Sequence, residues 1–423
     1  MFRKRVFATL IGFLVVAAAC GDDAAETTTT TAATTTAPTT TTVATTTTTA
    51  APVSLLIWAD ENRANVLNEI VPAFTEATGV EVTVEIVDFG EIRGQVQVAG
   101  PAGEGPDIFV GAHDWTGELA ANGVVEPVDL GGRTDEWFPV AIDAFSFGGS
   151  LFAVPYATEA IAMYYNMDLV PTAPATFEEI GGICDSLAGI TNCVGIPGGG
   201  DGADAYHNFP FVSALGGYIF AYDAETGYDP TDVGLDSAEA VAGVEFLADQ
   251  VAAGVIGSTN YEDAKNLFLE GTEPFWITGP WELGDLNTSG MNYGVAKLPT
   301  IGGNTPKPFV GAQGFFVSAF SENKLVAQSF LLDFVATSET MLALYEIDPR
   351  NPAFVAAFDE ISDDAIAATF ALSAADGLPM PNIPEMGNVW GPLGDNLLAV
   401  RNGTLDAAAA MATAAAAVRD AIG

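Results

Sequence analysis

The chain is predicted to be an α/β protein built on parallel strands, and three neighbouring stretches predict it. VSLLIW at 53–58 is a short apolar run suited to a buried strand. Val66, Leu67, Ile70, Val71 and Phe74 then recur at helical spacing, with Gly79 as the stop. Val80, Val82, Val84 and Ile86 alternate with Glu81, Thr83 and Glu85, which is the period of a strand. PDIFVGAHD at 106–114 adds a further strand that runs into a loop. Strand–helix–strand alternation at this pace indicates parallel α/β architecture. Ligands of such sheets sit beyond the carboxyl ends of the strands. Asp60 and Asp114 each follow a strand directly, so both are candidate ligand contacts. Aspartate in that place also commonly caps the next helix.

The folded part begins near Val53. Residues 1–20 read MFRKRVFATLIGFLVVAAAC, a basic start, an apolar run and small residues before Cys20. This is an export signal. Its ending resembles a bacterial lipoprotein cleavage site, with Cys20 as the lipidated residue; the usual leucine three places earlier is Ala17 here. Residues 21–52 are mostly threonine and lack the apolar surface to offset ordering entropy, so they are expected to form a disordered tether. As a flexible coil the tether reaches roughly 30 Å.

The chain has 423 residues, enough for two or three domains. Lys+Arg number 13 against 55 Asp+Glu, a net charge of -42. Such a surface repels nucleic acid and anionic lipid, and favours a neutral or weakly charged ligand. Of the three cysteines, Cys20 belongs to the export signal, which leaves Cys184 and Cys193 as an expected disulfide. A loop of that size contributes roughly 2.7 kcal/mol by the chain-entropy argument.

In the second half, Asp236 with Glu239 resembles a helix-start box, followed by Val241, Val244, Leu247 and Val251 on one face. EDAKNLFLEG at 262–271 reads as a short helix stopped by Gly271. FWIT at 275–278 is a strand that delivers Gly279, Pro280 and Trp281. KPFVGAQGFFVSA at 307–319 reads as a strand returning to the first part of the chain. Pro381 and Pro384 break the MPNIPEMGNVW stretch, so Trp390 arrives on a fresh segment. The C-terminal segment is an alanine-rich helix with Met411, Ala415, Val418 and Ile422 along a narrow seam.

Two histidines, no CxxC, no HExxH and no EF-hand loop leave no metal site, and no cofactor is expected. His113 is expected to be a structural hydrogen-bonding residue. GGGDG at 198–202 has no lysine and reads as a flexible loop rather than a phosphate cradle. Carboxylate pairs are too abundant in so acidic a chain to mark a glycosidase. The remaining pattern fits sugar chemistry, in which aromatic rings cover pyranose C–H faces and carboxylates or amides hold the hydroxyl rims. Tyr206, Trp281 and Trp390 are candidate platforms; Asp60, Arg63, Asp114, Glu159 and Asp204 are candidate hydroxyl partners.

LLIW at 55–58, GPDI at 105–108, AHD at 112–114, YN at 165–166, GPW at 279–281, NYGV at 292–295, KPFVG at 307–311 and MPNIPEM at 380–386 occur together in order. In these motifs residues 53–423 resemble the maltose/maltodextrin-binding proteins of bacterial ABC importers. The resemblance implies a two-lobed periplasmic-binding-protein-like fold with a hinge and an interlobe ligand cleft. It implies lobes of 53–157 plus 315–364 and of 158–314 plus 365–423. It places sugar contacts at Asp60, Asp114, Glu159, Tyr206, Tyr261, Trp281, Met380 and Trp390. Departures fall on Gly111, where known members carry a tryptophan, and on Trp115, where they carry an arginine. Trp115 is the candidate replacement for the missing platform. Gly391 and Gly394 stand where an aromatic and an arginine are usual, and Asp204 where a glutamate is. Sugar length and linkage stay open on these grounds.

The expected molecule is therefore a monomeric solute-binding lipoprotein on the outer face of the membrane. It would deliver maltose, maltodextrin or a related α-glucoside such as trehalose to a permease. An extracellular glycosidase and a binder of polyamine, metal or peptide are the rival readings.

Overall fold

The computed structural model describes residues 53–190, 192–223 and 227–423. The export signal, Cys20 and the threonine-rich tether lie outside the described residues. β1 (Ser54–Ala59), α1 (Glu61–Thr78), β2 (Glu81–Ile86) and β3 (Ile108–Ala112) follow in the expected order, with a further helix α2 (Phe89–Ala102) between β2 and β3 that was not among the expected elements. β1 pairs in parallel with both β2 and β3. Gly79 ends α1 at φ 74°, and its N–H bonds the Thr75 carbonyl. That left-handed geometry penalises any residue with a β-carbon. β2 is the edge of the sheet, so Ile86 at its end stays 63% exposed despite the apolar alternation.

The chain then builds β4 (Ala153–Glu159) and crosses directly into β5 (Ala162–Asn166) of a second sheet. There follow β6 (Val194–Gly195), α3 (Ala205–Ala214), α4 (Ala238–Ala252), α5 (Tyr261–Leu269), β7 (Phe275–Thr278) and β8 (Tyr293–Ala296). The long β9 (Phe309–Ser318) returns to the first sheet. α6 (Ser338–Ile347), β10 (Asn351–Pro352), α7 (Ala365–Asp376), α8 (Trp390–Arg401) and α9 (Ala407–Ile422) complete the chain. The main strand order of the first sheet is β10-β4-β9-β3-β1-β2, and of the second β8-β5-β7-β6. β9 runs antiparallel to both β3 and β4, so the first sheet is mixed rather than wholly parallel. The returning strand comes from the other lobe and enters head to tail, which periodicity alone does not reveal.

The buried apolar side chains gather on either side of these crossings. One cluster runs from Leu55 to Ala157 and resumes from Ala312 to Ala357. A second runs from Ile161 to Phe309 and resumes from Met380 to Val418. A third joins Tyr164, Phe268, Trp276 and Phe370 beneath the second sheet. The protein is thus a two-lobed α/β fold with the crossing strands β4 and β9 as its hinge. Cys184 and Cys193 are joined by a disulfide. Among the described residues no helix is long and apolar enough to cross a membrane, and no cluster of metal-ligating groups is found.

One expected start signal is displaced. α4 is capped by Ser237, whose hydroxyl accepts from Ala240 N–H at 3.2 Å. Asp236 pairs instead with Arg419 of α9 at 2.6 Å. A full charge partner from a distant helix outcompetes the local cap for that carboxylate.

Candidate functional site

A cavity of about 460 Å³ opens beside the crossing strands and takes residues from both lobes. From the first lobe come Asp114 and Trp115, on a single 3-10 turn (His113–Trp115) at the carboxyl end of β3. Glu159, the last residue of β4, and Gln313 of β9 form part of the wall. From the second lobe come Tyr206, Tyr261, Trp281, Met380 and Trp390. Eight of the eleven sequence candidates are therefore brought together here: Asp114, Trp115, Glu159, Tyr206, Tyr261, Trp281, Met380 and Trp390.

The local geometry explains each position. A β-carbon at Gly111 would lie 2.6 Å from Trp115 Cε3, so the missing side chain at 111 makes the room that Trp115 fills. Trp115 packs on Phe89 at 5.1 Å, with the Arg93 guanidinium 5.9 Å from its ring centre. Trp281 follows β7 on a short 3-10 turn that begins at Pro280. Its Nε1 donates to the Tyr261 hydroxyl at 2.5 Å, and Tyr261 donates in turn to Glu282. Lys265 holds that carboxylate at 3.1 Å. The relay fixes the Trp281 ring, and burial together with Glu282 keeps the Tyr261 phenol far from ionising. Trp390 is the first residue of α8, and a 3-10 turn that opens on Pro384 (Pro384–Asn388) leads into it. Its Nε1 donates to Asp114 Oδ2 at 3.2 Å, across the lobes. Met380 is fixed through its carbonyl, which accepts from His113 Nε2 at 2.9 Å, while His113 Nδ1 accepts from Ala312 N–H at 3.0 Å. Burial holds His113 below its ordinary pKa, which suits this neutral tautomer.

Three residues that line this cavity each carry a buried polar atom without a hydrogen-bond partner: Asp114 Oδ1, Tyr206 Oη and Gln313 Oε1. Unpaired buried polar groups cost about 1–3 kcal/mol each. Burial raises the Asp114 carboxyl, with His113 and Arg93 pulling it partly back. Two other cavities, about 380 and 410 Å³, adjoin the hairpin of Phe220–Asp223 and Gly227–Val233. No orphaned buried side-chain polar atom lines either among the described residues.

Three sequence candidates stand elsewhere. Asp204 caps α3, accepting from His207 N–H at 2.8 Å and pairing with His207 Nδ1 at 2.7 Å. Burial alone would raise its carboxyl, but His207 outweighs this and holds it low. Asp60 and Arg63 line a neighbouring cavity with Phe89 at its edge. Arg63 is buried, paired with Asp60 at 2.8 Å and Asp348 at 3.1 Å, and donates to the Tyr156 hydroxyl at 2.5 Å. Its charge is consumed internally. Conversely, Phe89, Arg93, Gln313 and Arg350 line the main cavity and were not among the candidates. Gln313 lies inside a stretch legible only as a strand. Arg350 carried one usable signal: a cation between prolines in a chain so poor in cations.

The family model described as bacterial extracellular solute-binding protein matches residues 69–371. A maltotriose-binding protein of Pyrococcus abyssi is 30% identical over 71% of this chain and 67% of its own length. A galactooligosaccharide-binding protein of Bacillus subtilis is 29% identical, over 85% of this chain and 87% of its own. A maltooligosaccharide ABC transporter solute-binding lipoprotein of Streptococcus pneumoniae is 27% identical, over 87% of this chain and 88% of its own. With a two-lobed fold, a cavity fed by both lobes and a family match over most of its length, the chain belongs to the bacterial extracellular solute-binding proteins and is a binding protein rather than an enzyme.

Proposed function

We propose that the protein captures an oligosaccharide of the maltose or maltodextrin type and delivers it to the permease of an ABC importer. The observation that carries this reading is the pairing of aromatic rings with orphaned buried acceptors in one cavity between the lobes. Tyr206, Trp281 and Trp390 offer faces for sugar C–H surfaces, and Asp114, Gln313, Glu159 and the Tyr206 hydroxyl accept or donate at the rims. The names of the Pyrococcus and Streptococcus relatives support the sugar class. A ligand touching both lobes favours the closed form, because only there does it make all its contacts. The lobes would be 53–157 plus 315–364 and 158–314 plus 365–423. The packing clusters support this division except within β9, where Ala312 already packs with the first lobe. Export and lipidation at Cys20, with residues 21–52 as tether, complete the proposal; the lipoprotein name of the Streptococcus relative is consistent with it.

A thermal-shift screen of the mature chain against maltose, maltotriose, trehalose and a galactooligosaccharide tests the reading. A ligand at a hundred times its dissociation constant adds about 2.7 kcal/mol of stability. A shift with the malto-sugars is expected. A shift with galactooligosaccharide alone would move the ligand to the chemistry named for the Bacillus relative.

A further inference from the structure

We propose that Arg350 of the first lobe is a positioning residue that ties the Trp281 platform of the second lobe to Glu159 at the end of the hinge strand β4; the ligand-affinity part of this proposal rests on the sugar reading above. Arg350 lines the cavity with its side chain only 10% exposed. Its guanidinium pairs with Glu159 and Asp348, and its carbon Cζ lies 5.4 Å from the centre of the Trp281 ring. Asp348 is held in turn by Arg63, and Arg63 by Asp60. Two guanidiniums are thus threaded among three buried or half-buried carboxylates, and the thread ends under an aromatic ring of the opposite lobe.

The choice of arginine follows from this geometry. A planar fork can bridge two carboxylates and still lay its face on a ring, whereas an ammonium is a single point charge. Glu159 receives one donor on each oxygen, Gln313 Nε2 at 3.0 Å on Oε1 and Arg350 on Oε2. Each oxygen keeps acceptor capacity for a ligand hydroxyl. Arg350 therefore fixes the carboxylate and the ring together. It also supplies a contact between the lobes that needs no ligand. This role accounts for Asp60 and Arg63 as well: they hold the far end of the thread.

The test uses the mature full chain with Arg350→Lys, Arg350→Gln, Trp281→Ala and the Arg350→Gln/Trp281→Ala double variant. Small-angle scattering of the ligand-free proteins reads the lobe contact, and calorimetry with maltotriose reads affinity. We expect Arg350→Lys to melt near the wild type, to scatter as a more open molecule and to bind maltotriose about tenfold more weakly. We expect the double variant to scatter like either single variant, because both remove the same contact. A merely structural role would lower the melting temperature and leave ligand-free scattering unchanged. Wild-type scattering in both Arg350 variants, or additive opening in the double variant, would overturn the proposal. Absence of maltotriose binding to the wild type would overturn the sugar reading, while the scattering arm would still decide on Arg350.

Discussion

Asp60, Asp114 and Asp204 looked alike in the sequence, each beside a strand or loop that feeds a helix. The structure separates them by what else each carboxylate meets. Asp114 keeps an orphaned oxygen in the cavity, Asp204 is used up by His207, and Asp60 is used up by Arg63. Asp60 and Asp204 each have a partner three residues on, Arg63 and His207, whereas Asp114 has Gly117 at that place. Glu273 lies at a place no motif marks. It is fully buried, and desolvation pushes its carboxyl up to about 8, with Asn192 and Arg401 only partly opposing. Its folded pKa is raised, so its contribution to stability is complete below the ordinary value of 4.5 and lost as pH rises through about 8. Stability should therefore fall with pH across that window, by up to roughly 1.4 kcal/mol per unit from this group. Urea melts of Glu273→Gln should show a flatter pH dependence than the wild type. An unchanged slope would mean that the carboxyl is not neutral in the fold.

At the scale of elements, β1, α1, β2 and β3 were legible because their apolar periods are clean; α2 was not, since Gly90, Gly94, Gly100 and Pro101 interrupt its helical pattern. The site-bearing turns were legible through proline and glycine. Pro280 starts the turn that carries Trp281, and Pro384 starts the 3-10 turn that leads to Trp390. The antiparallel return of β9 was not legible, since its all-buried pattern carries no direction. Gly279 makes a sharper test of the turn. A β-carbon there would lie 2.0 Å from Trp281 Cζ3. Gly279→Ala should push the indole off its hydrogen bond to Tyr261 and weaken sugar binding about tenfold, the size of a modest overpacking penalty. Wild-type affinity in a folded Gly279→Ala protein would show that the ring's placement does not matter to the ligand.

For the whole molecule, the proposal adds a lipid anchor at Cys20 to a cavity between two lobes. The anchor has its own test. Cys20→Ser in a native-like host should release the protein to the medium or leave an uncleaved precursor, read by fractionation and blotting. Retention of the processed form in the membrane would remove the lipid anchor from the account. The central claim is that Trp281 and Trp390 are sugar platforms. Calorimetric titration of maltotriose into the wild type, Trp281→Ala and Trp390→Ala, beside melting curves of each, tests it most directly. Burying one aromatic face is worth roughly 1.5–3 kcal/mol, so each variant should bind about ten- to a hundredfold more weakly while keeping its fold. Near-native affinity with a large fall in melting temperature in both variants would contradict the claim and make the two tryptophans core residues.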